Sequence, residues 1–103
     1  MHYPGNRQVL IFYNEEGAVL KTSQLELLNK EKQGVEERDI EIHCYTNESS
    51  KAKQWHVQPS HAFTFILIGK DGGEKMRSDT VVSTQQLFAV IDAMPMRKNE
   101  MKH

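Results

Sequence analysis

The sequence contains a single cysteine, Cys44, among its 103 residues. One thiol excludes an intrachain disulfide, a CxxC redox pair and a zinc site built from four thiolates. Long apolar runs are also missing, because the longest one, residues 65–68, is far shorter than the roughly 20 residues that a membrane span requires. We therefore expect neither dithiol redox chemistry nor a membrane anchor.

Residues 1–6 lack the apolar segment of a signal peptide. We expect a cytoplasmic protein if Met1 is the natural start, and a periplasmic or secreted one if a signal peptide has been removed.

Neither sign of charge predominates. Thirteen Lys and Arg face fourteen Asp and Glu, which gives a formal net charge of −1. Without a positive excess, we expect the chain to bind neither nucleic acid nor an anionic membrane. An apolar content of 38% and a charged content of 26% are typical of one globular domain.

The first half of the chain predicts a strand, a helix and a second strand. Residues 8–13 are a short β-branched and aromatic run, and apolar residues recur at helical spacing from Ala18 to about Val35. The start of the helix is ambiguous, because residues 23–26 form a capping box inside this pattern. Residues 40–46 alternate as a strand does, so a right-handed βαβ unit is expected.

The second half predicts a short helix over about 48–57, capped by Asn47, and a central strand over 63–69. A turn at residues 71–73 then leads into a strand at 74–78. Ser83 begins a second capping box, which opens a helix that Pro95 ends.

The resulting order, β-α-β-α-β-β-α, with a mixed four-stranded sheet, is that of a minimal three-layer thioredoxin-like α/β fold. We expect a flexible N-terminus at 1–6, one thioredoxin-like domain at 7–95 and a frayed basic tail at 96–103.

The usual active site of that fold is missing from the sequence. In thioredoxin-like enzymes the reactive thiol follows the first strand, where the helix dipole lowers its pKa. Here that junction contains Asn14, Glu15 and Glu16 and no thiol. Cys44 lies instead in the second strand, on the face of Ile40 and Ile42, and is predicted to be a buried core residue. The alternative is a peroxide-reactive or sensor thiol.

The histidines do not form a recognisable metal motif. His43, His56 and His61 together with Cys44 lack zincin or zinc-knuckle spacing, so no metal and no cofactor is expected.

The glycine-rich segment 69–77 carries Lys70, Lys75 and Arg77 around a turn whose N–H groups could hold an anion. Alternatively it is a hairpin with solvated charges, because Asp71 and nearby acidic residues nearly cancel its positive charge.

Two segments resemble the DUDES domain family. They are FTFILIGKDGGEK at 63–75 and IDAMPMR at 91–97, with further similarity at Arg38-Asp39-Ile40 and Glu100-Met101. The resemblance covers about residues 7–101. This family occurs in bacterial proteins and in vertebrate secreted proteins such as equarin and the sushi-repeat-containing proteins. It implies a thioredoxin- or peroxiredoxin-like fold without an established activity. The present sequence differs in its charged loop at 14–16 and in lacking an export signal.

The resemblance also implies a set of recurrent polar residues, which are our candidate binding residues. They are Lys70, Asp71, Lys75, Arg77, Asp92 and Arg97. We expect a monomeric, non-redox binding or interaction module that uses the face formed by the hairpin and the turn at 92–97. Its partner would be a protein or a small anionic ligand. The alternative is a thiol- or peroxide-reactive enzyme or sensor that uses Cys44.

Overall fold

The computed structural model describes residues 6–101, which form four strands and five helices. The strands are β1 (Arg7–Tyr13), β2 (Ile40–Thr46), β3 (Phe63–Ile68) and β4 (Glu74–Ser78). The helices are α1 (Ala18–Lys30), α2 (Lys32–Glu37), α3 (Ser50–Gln54), α4 (Thr84–Asp92) and α5 (Pro95–Glu100), and a 3-10 turn at Glu15–Gly17 precedes α1.

The four strands form one mixed sheet in the order β2-β1-β3-β4. β1 runs parallel to β2 and antiparallel to β3, and β3 pairs with β4 as an antiparallel hairpin. The predicted mixed four-stranded sheet is confirmed. Because β1 and β3 are central, β2 and β4 are left as edges.

Helices cover both faces of the sheet, as the three-layer prediction requires. On one face, Val9 and Ile11 pack with Leu28 of α1 and Leu87 of α4. On the other face, Leu10, Phe12 and Ile66 pack with the short helix α3. The central strands are buried on both faces, which explains their continuous apolar runs.

The long helix predicted for 18–35 is interrupted at Glu31, where α1 gives way to α2. Its start is also settled: α1 begins at Ala18, so the capping box at 23–26 lies inside the helix. Gln24 of that segment is buried, and its side-chain amide exchanges two hydrogen bonds, of 2.8 and 2.9 Å, with the backbone of Val82. This residue therefore ties α1 to the segment before α4.

The cap of α3 differs from the prediction. Ser49, not Asn47, accepts the hydrogen bond from the backbone N–H of Ala52. Asn47 instead donates from its side chain to the carbonyl of His61. It thereby joins the end of β2 to the loop before β3.

The C-terminal prediction is wrong for residues 96–100. Pro95 ends no helix; it begins α5, where a proline at the first position loses no hydrogen bond. Arg97, expected in a frayed tail, is only 3% exposed. The predicted flexible segment 1–6 falls outside the described residues except for Asn6, which donates to Glu41 at 2.8 Å. Residues 102–103 of the predicted tail also fall outside them.

Candidate functional site

Four basic and four acidic side chains meet at the end of the sheet where β1 begins. They come from β1, the end of α2 and the turn after it, the β3–β4 hairpin, the end of α4, and α5. This ion-pair network consists of Arg7, Glu37, Arg38, Asp39, Lys70, Asp92, Arg97 and Glu100.

Asp92 lies between two guanidinium groups. Arg38 donates from Nε and Nη2 to its two carboxylate oxygens at 3.0 and 2.9 Å, and Arg97 donates from Nε to Oδ1 at 3.1 Å. The hydrogen bonds from Arg38 are the main reason that the pKa of Asp92 is lowered; partial burial opposes them and Arg97 reinforces them. Because Asp92 is the last residue of α4, where the helix dipole disfavours an anion, these two cations keep the carboxylate ionised.

Arg97 is the buried centre of the network on α5. Besides Asp92 it binds the carboxylate of Glu37, and its Nη1 lies 3.6 Å from Glu100. A guanidinium buried to this degree is stable only when it is paired, so Arg97 fixes α5 to α2 and α4.

Glu100 is shared by two cations. Arg7 donates to both of its oxygens, and Lys70 donates to Oε2 at 2.8 Å. Partial burial disfavours the charged carboxylate, but the hydrogen bonds from Lys70 and Arg7 together outweigh it, so the pKa of Glu100 is lowered. Lys70 also reaches Asp39 at 2.9 Å, which connects the hairpin to the turn before β2.

Arg7 is the most buried charged residue of the network, at 1% exposed. Its terminal nitrogens are engaged by Glu100, and Nη1 also donates to the carbonyl of Arg38 at 2.9 Å. Its Nε, by contrast, is buried and has no hydrogen-bond partner among residues 6–101. Buried polar atoms without partners are rare in proteins, and Asn47 Oδ1 and Thr64 Oγ1 share this property within the described residues.

Arg7 lines a cleft of about 340 Å³ between the hairpin and the α4–α5 turn. We call it the hairpin–turn cleft. Its walls are Arg7, Gly69, Lys70, Asp71, Lys75, Met94, Pro95 and Met96. It lies on the face that the sequence predicted for binding, and Lys70, Asp71 and Lys75 are three of the predicted binding residues.

A β-bulge positions Lys75 at this cleft. The β3–β4 register passes from Leu67 opposite Met76 to Ile68 opposite Glu74, which leaves Lys75 without a partner residue. Such a bulge redirects the side chain of the extra residue. Lys75 donates to Asp71 at 2.9 Å, and this hydrogen bond is the main reason that the pKa of Asp71 is lowered.

Arg77 does not join Lys70 and Lys75, contrary to the predicted grouping. It forms an ion pair with Glu74 and donates to the carbonyls of Trp55 and His56 at 2.6 and 3.4 Å. These carbonyls are at the C-terminal end of α3, so Arg77 acts as a cap for that helix. It borders a different cleft, of about 510 Å³, that His56, His61 and Thr64 also line.

The opposite end of β1, where a thioredoxin-like enzyme carries its thiol, is acidic. A cleft of about 530 Å³ is lined there by Tyr13, Asn14, Glu15, Glu16, Ala18, Thr46, Asn47 and Glu48. Gly17 is buried beneath it, and a Cβ at this position would lie 1.8 Å from the carbonyl oxygen of Ala62. The three carboxylates would repel a thiolate or a peroxide anion.

Cys44 is exposed, so the prediction of a buried core cysteine is wrong. Burial decreases along its face of β2: Ile40 is buried, Ile42 is partly buried and Cys44 is open to solvent. Because β2 is an edge strand, no further strand of residues 6–101 flanks its outer side. Neighbouring protein atoms still desolvate the thiol enough to raise its pKa, although Lys21 opposes this effect.

Within residues 6–101, no group of three or more His, Cys, Asp and Glu side chains is arranged to hold a metal ion. The same part of the chain contains no helix long and apolar enough to span a membrane.

The family model described as a domain of unknown function, DUF4174, matches residues 1–100. The chain belongs to the DUF4174 family. No curated protein matches it in sequence.

Solved structures with the same fold include a thioredoxin and a peroxiredoxin. Thioredoxin-2, a component of the malaria parasite protein secretion machinery, is 22% identical with a TM-score of 0.67, over 86% of this chain and 84% of that one. The reduced 2-Cys peroxiredoxin of Plasmodium vivax is 15% identical with a TM-score of 0.69, over 91% and 80%. AhpC of Mycobacterium tuberculosis is 16% identical with a TM-score of 0.56, over 87% and 73%. At these identities the likeness establishes the fold alone, and it confirms the predicted thioredoxin-like class.

The DUF4174 match includes the whole ion-pair network, yet the sequence predictions proposed only Lys70, Asp92 and Arg97 from it as binding residues. Arg7, Glu37, Arg38, Asp39 and Glu100 were missed in that role. The available signal was positional, since Arg7 and Arg38-Asp39 stand immediately before apolar strands. A charged residue immediately before a strand lies at the end of the sheet, close to charged residues of other strands and turns.

Proposed function

We propose that this thioredoxin-like domain is a binding module and that its ligand site is the hairpin–turn cleft. The observation that carries the proposal is Lys75, an exposed cation that a β-bulge places at this cleft and that donates only one hydrogen bond among the described residues, to Asp71. A bound anionic group would accept a charge-assisted hydrogen bond from Lys75.

The predicted binding residues divide into two roles in this proposal. Lys70, Asp71 and Lys75 line the cleft and contact the ligand or hold the groups that do. Asp92 and Arg97 position the α4–α5 turn that forms the opposite wall, because both are occupied by ion pairs inside the network. Arg77 supports α3 and takes no part in binding.

The ligand is a small anion or an anionic group on a protein, and the module acts as a monomer. A weak, electrostatically assisted site of this kind depends on salt. Size-exclusion chromatography with light scattering tests whether the protein is a monomer.

A thiol- or peroxide-reactive function of Cys44 is the second candidate. Its exposure on β2 supports access by a reagent or substrate. The raised pKa of the thiol opposes this candidate, because the thiolate is the reactive form and less of it is present near neutral pH.

We also propose that the likeness to the DUDES domain family reflects the site at the hairpin–turn cleft. The segments that carry the likeness include Arg38-Asp39, Lys70, Asp92, Arg97 and Glu100, all of which belong to the ion-pair network.

The test is a titration of ¹⁵N-labelled protein with sodium acetate and, separately, sodium phosphate, at constant ionic strength maintained with sodium chloride. We expect chemical-shift changes concentrated at Arg7, Gly69, Lys70, Lys75 and Met96. They should weaken in Lys75→Gln and persist in Lys98→Gln, which removes an exposed charge of α5 that does not line the cleft. Changes scattered over the surface with both anions would overturn the proposal.

A further inference from the structure

The hairpin–turn cleft offers few free hydrogen-bond donors, and they can be assigned. Arg7 uses its terminal nitrogens on Glu100, and its Nε is buried, so it is not open to a ligand in the cleft. Lys70 donates two of the three hydrogen bonds that an ammonium group can make, to Asp39 and Glu100. Lys75 donates one, to Asp71, and is the cleft cation with the most donors left.

Each of these cations is already balanced by a carboxylate. Glu100 pairs with Arg7 and Lys70, and Asp71 pairs with Lys75. Asp39 also pairs with Lys70, so three carboxylates balance the three cations and the cleft presents directed donors with no surplus of positive charge. Such a site favours a ligand with a single negative charge over a phosphate group, which carries about −1.5 to −2 at neutral pH and would require more cationic compensation.

The wall opposite the lysines is apolar. Met94, Pro95 and Met96 line it, and thioether side chains adapt to the shape of an apolar ligand. The volume of about 340 Å³ is at the low end of the range of roughly 300–1,000 Å³ for ligand pockets, so the apolar part of the ligand must be short.

Resting on the proposed function of this cleft, we infer that its ligand is a monocarboxylate with a short apolar body. The carboxylate accepts hydrogen bonds from Nζ of Lys75 and Nζ of Lys70, and the apolar body packs on Met94 and Met96. Two sources supply this chemistry: a free aliphatic acid, or the C-terminal carboxylate of a polypeptide that ends in an apolar residue.

The experiment compares matched probes by calorimetry and by ¹⁵N chemical shifts. The free-acid probe is 4-methylpentanoate, and its uncharged counterpart is 4-methylpentanamide. The peptide probe is N-acetyl-Gly-Leu with a free carboxylate, compared with its C-terminal amide, and inorganic phosphate is the dianion control. We expect each carboxylate that binds to exceed its amide by at least about tenfold in affinity, equivalent to about 1.4 kcal/mol, and to exceed phosphate as well.

Two substitutions test recognition of the carboxylate and of the apolar body separately. Lys75→Gln should weaken the carboxylate and leave the amide unchanged, whereas Met96→Gln should weaken both. Lys98→Gln on α5 should change neither.

The outcomes separate the inference from the proposed function. Binding of phosphate at the cleft without the carboxylates would overturn the inference and leave the binding module standing. Equal binding of acid and amide would overturn the carboxylate recognition. No change at the cleft with any anion would overturn both. Stronger binding of the aliphatic acid identifies a free acid as the ligand, and stronger binding of the peptide acid identifies a polypeptide C-terminus.

Discussion

Arg7, the first residue of β1, and Glu100, the last residue of α5, are joined by two hydrogen bonds of 3.2 and 3.3 Å across 93 positions of the chain. The arginine is 1% exposed and the carboxylate is 26% exposed. This pair closes the end of the sheet and fixes the orientation of Arg7, which lines the hairpin–turn cleft.

Neutralising Glu100 should destabilise the protein strongly. In Glu100→Gln the buried Arg7 loses its counter-charge, and we expect the free energy of unfolding to fall by about 2 kcal/mol, with a drop in melting temperature of roughly 10 °C. Chemical unfolding measures the change in free energy, and thermal unfolding measures the change in melting temperature. Glu26→Gln, at an exposed position of α1, is the control and should change little. Equal effects of the two substitutions would show that the pair contributes nothing specific.

Arg97→Ala should lower the melting temperature because it removes a buried guanidinium from Asp92 and Glu37. We expect a loss of about 2–4 kcal/mol. Lys98→Ala, on the same helix but exposed, should lose less than about 0.5 kcal/mol. An unchanged melting temperature for Arg97→Ala would mean that Arg97 does not hold the fold and is free to serve a partner.

Acid should destabilise the protein through Asp92 and Glu100. The pKa of each carboxyl is lower in the folded protein than in the unfolded chain. Their stabilisation is therefore fully present above the unfolded-state values of about 3.9 and 4.3 and is lost as the pH falls through the lower folded-state values.

Asp92→Asn tests this dependence. The variant should be less stable than the parent protein at pH 7, and its unfolding free energy should fall less between pH 5 and pH 2. Urea unfolding at each pH gives both quantities, with Asp79→Asn as the exposed control. If the plots of unfolding free energy against pH are parallel for Asp92→Asn and the parent, Asp92 makes no contribution to acid unfolding.

Cys44 should react with iodoacetamide in the native protein, because it is exposed, but only slowly at neutral pH. Its pKa is raised, so the rate should increase along a curve whose inflection lies above the free-thiol value of about 8.5. Lys21→Gln should move the inflection higher still, since Lys21 lowers the pKa. Fast labelling alone decides nothing for this exposed residue. An inflection well below 8.5 would favour the enzyme or sensor.

The sequence predicts the face on which the candidate site lies, but not which side chains meet there. The hairpin and the turn at 92–97 were recognised as one face, and the cleft lies between them. Arg77 was grouped with Lys70 and Lys75 on spacing alone, and the grouping failed because a bulge at Lys75 breaks the simple alternation of β4. Spacing describes a regular strand and cannot show where the register shifts.

The sequence by itself determined the four strands, the helices that cover them and the absence of a thiol at the start of α1. These features depend on apolar periodicity, capping residues and glycine turns, which act between near neighbours. The tertiary structure alone decided that Cys44 is exposed, because that depends on β2 lying at the edge of the sheet. It also decided that Arg97 is buried, because its partner Glu37 is 60 residues away in the chain. Ion pairs between distant residues leave no periodic signal, and only the folded chain brings their charges together.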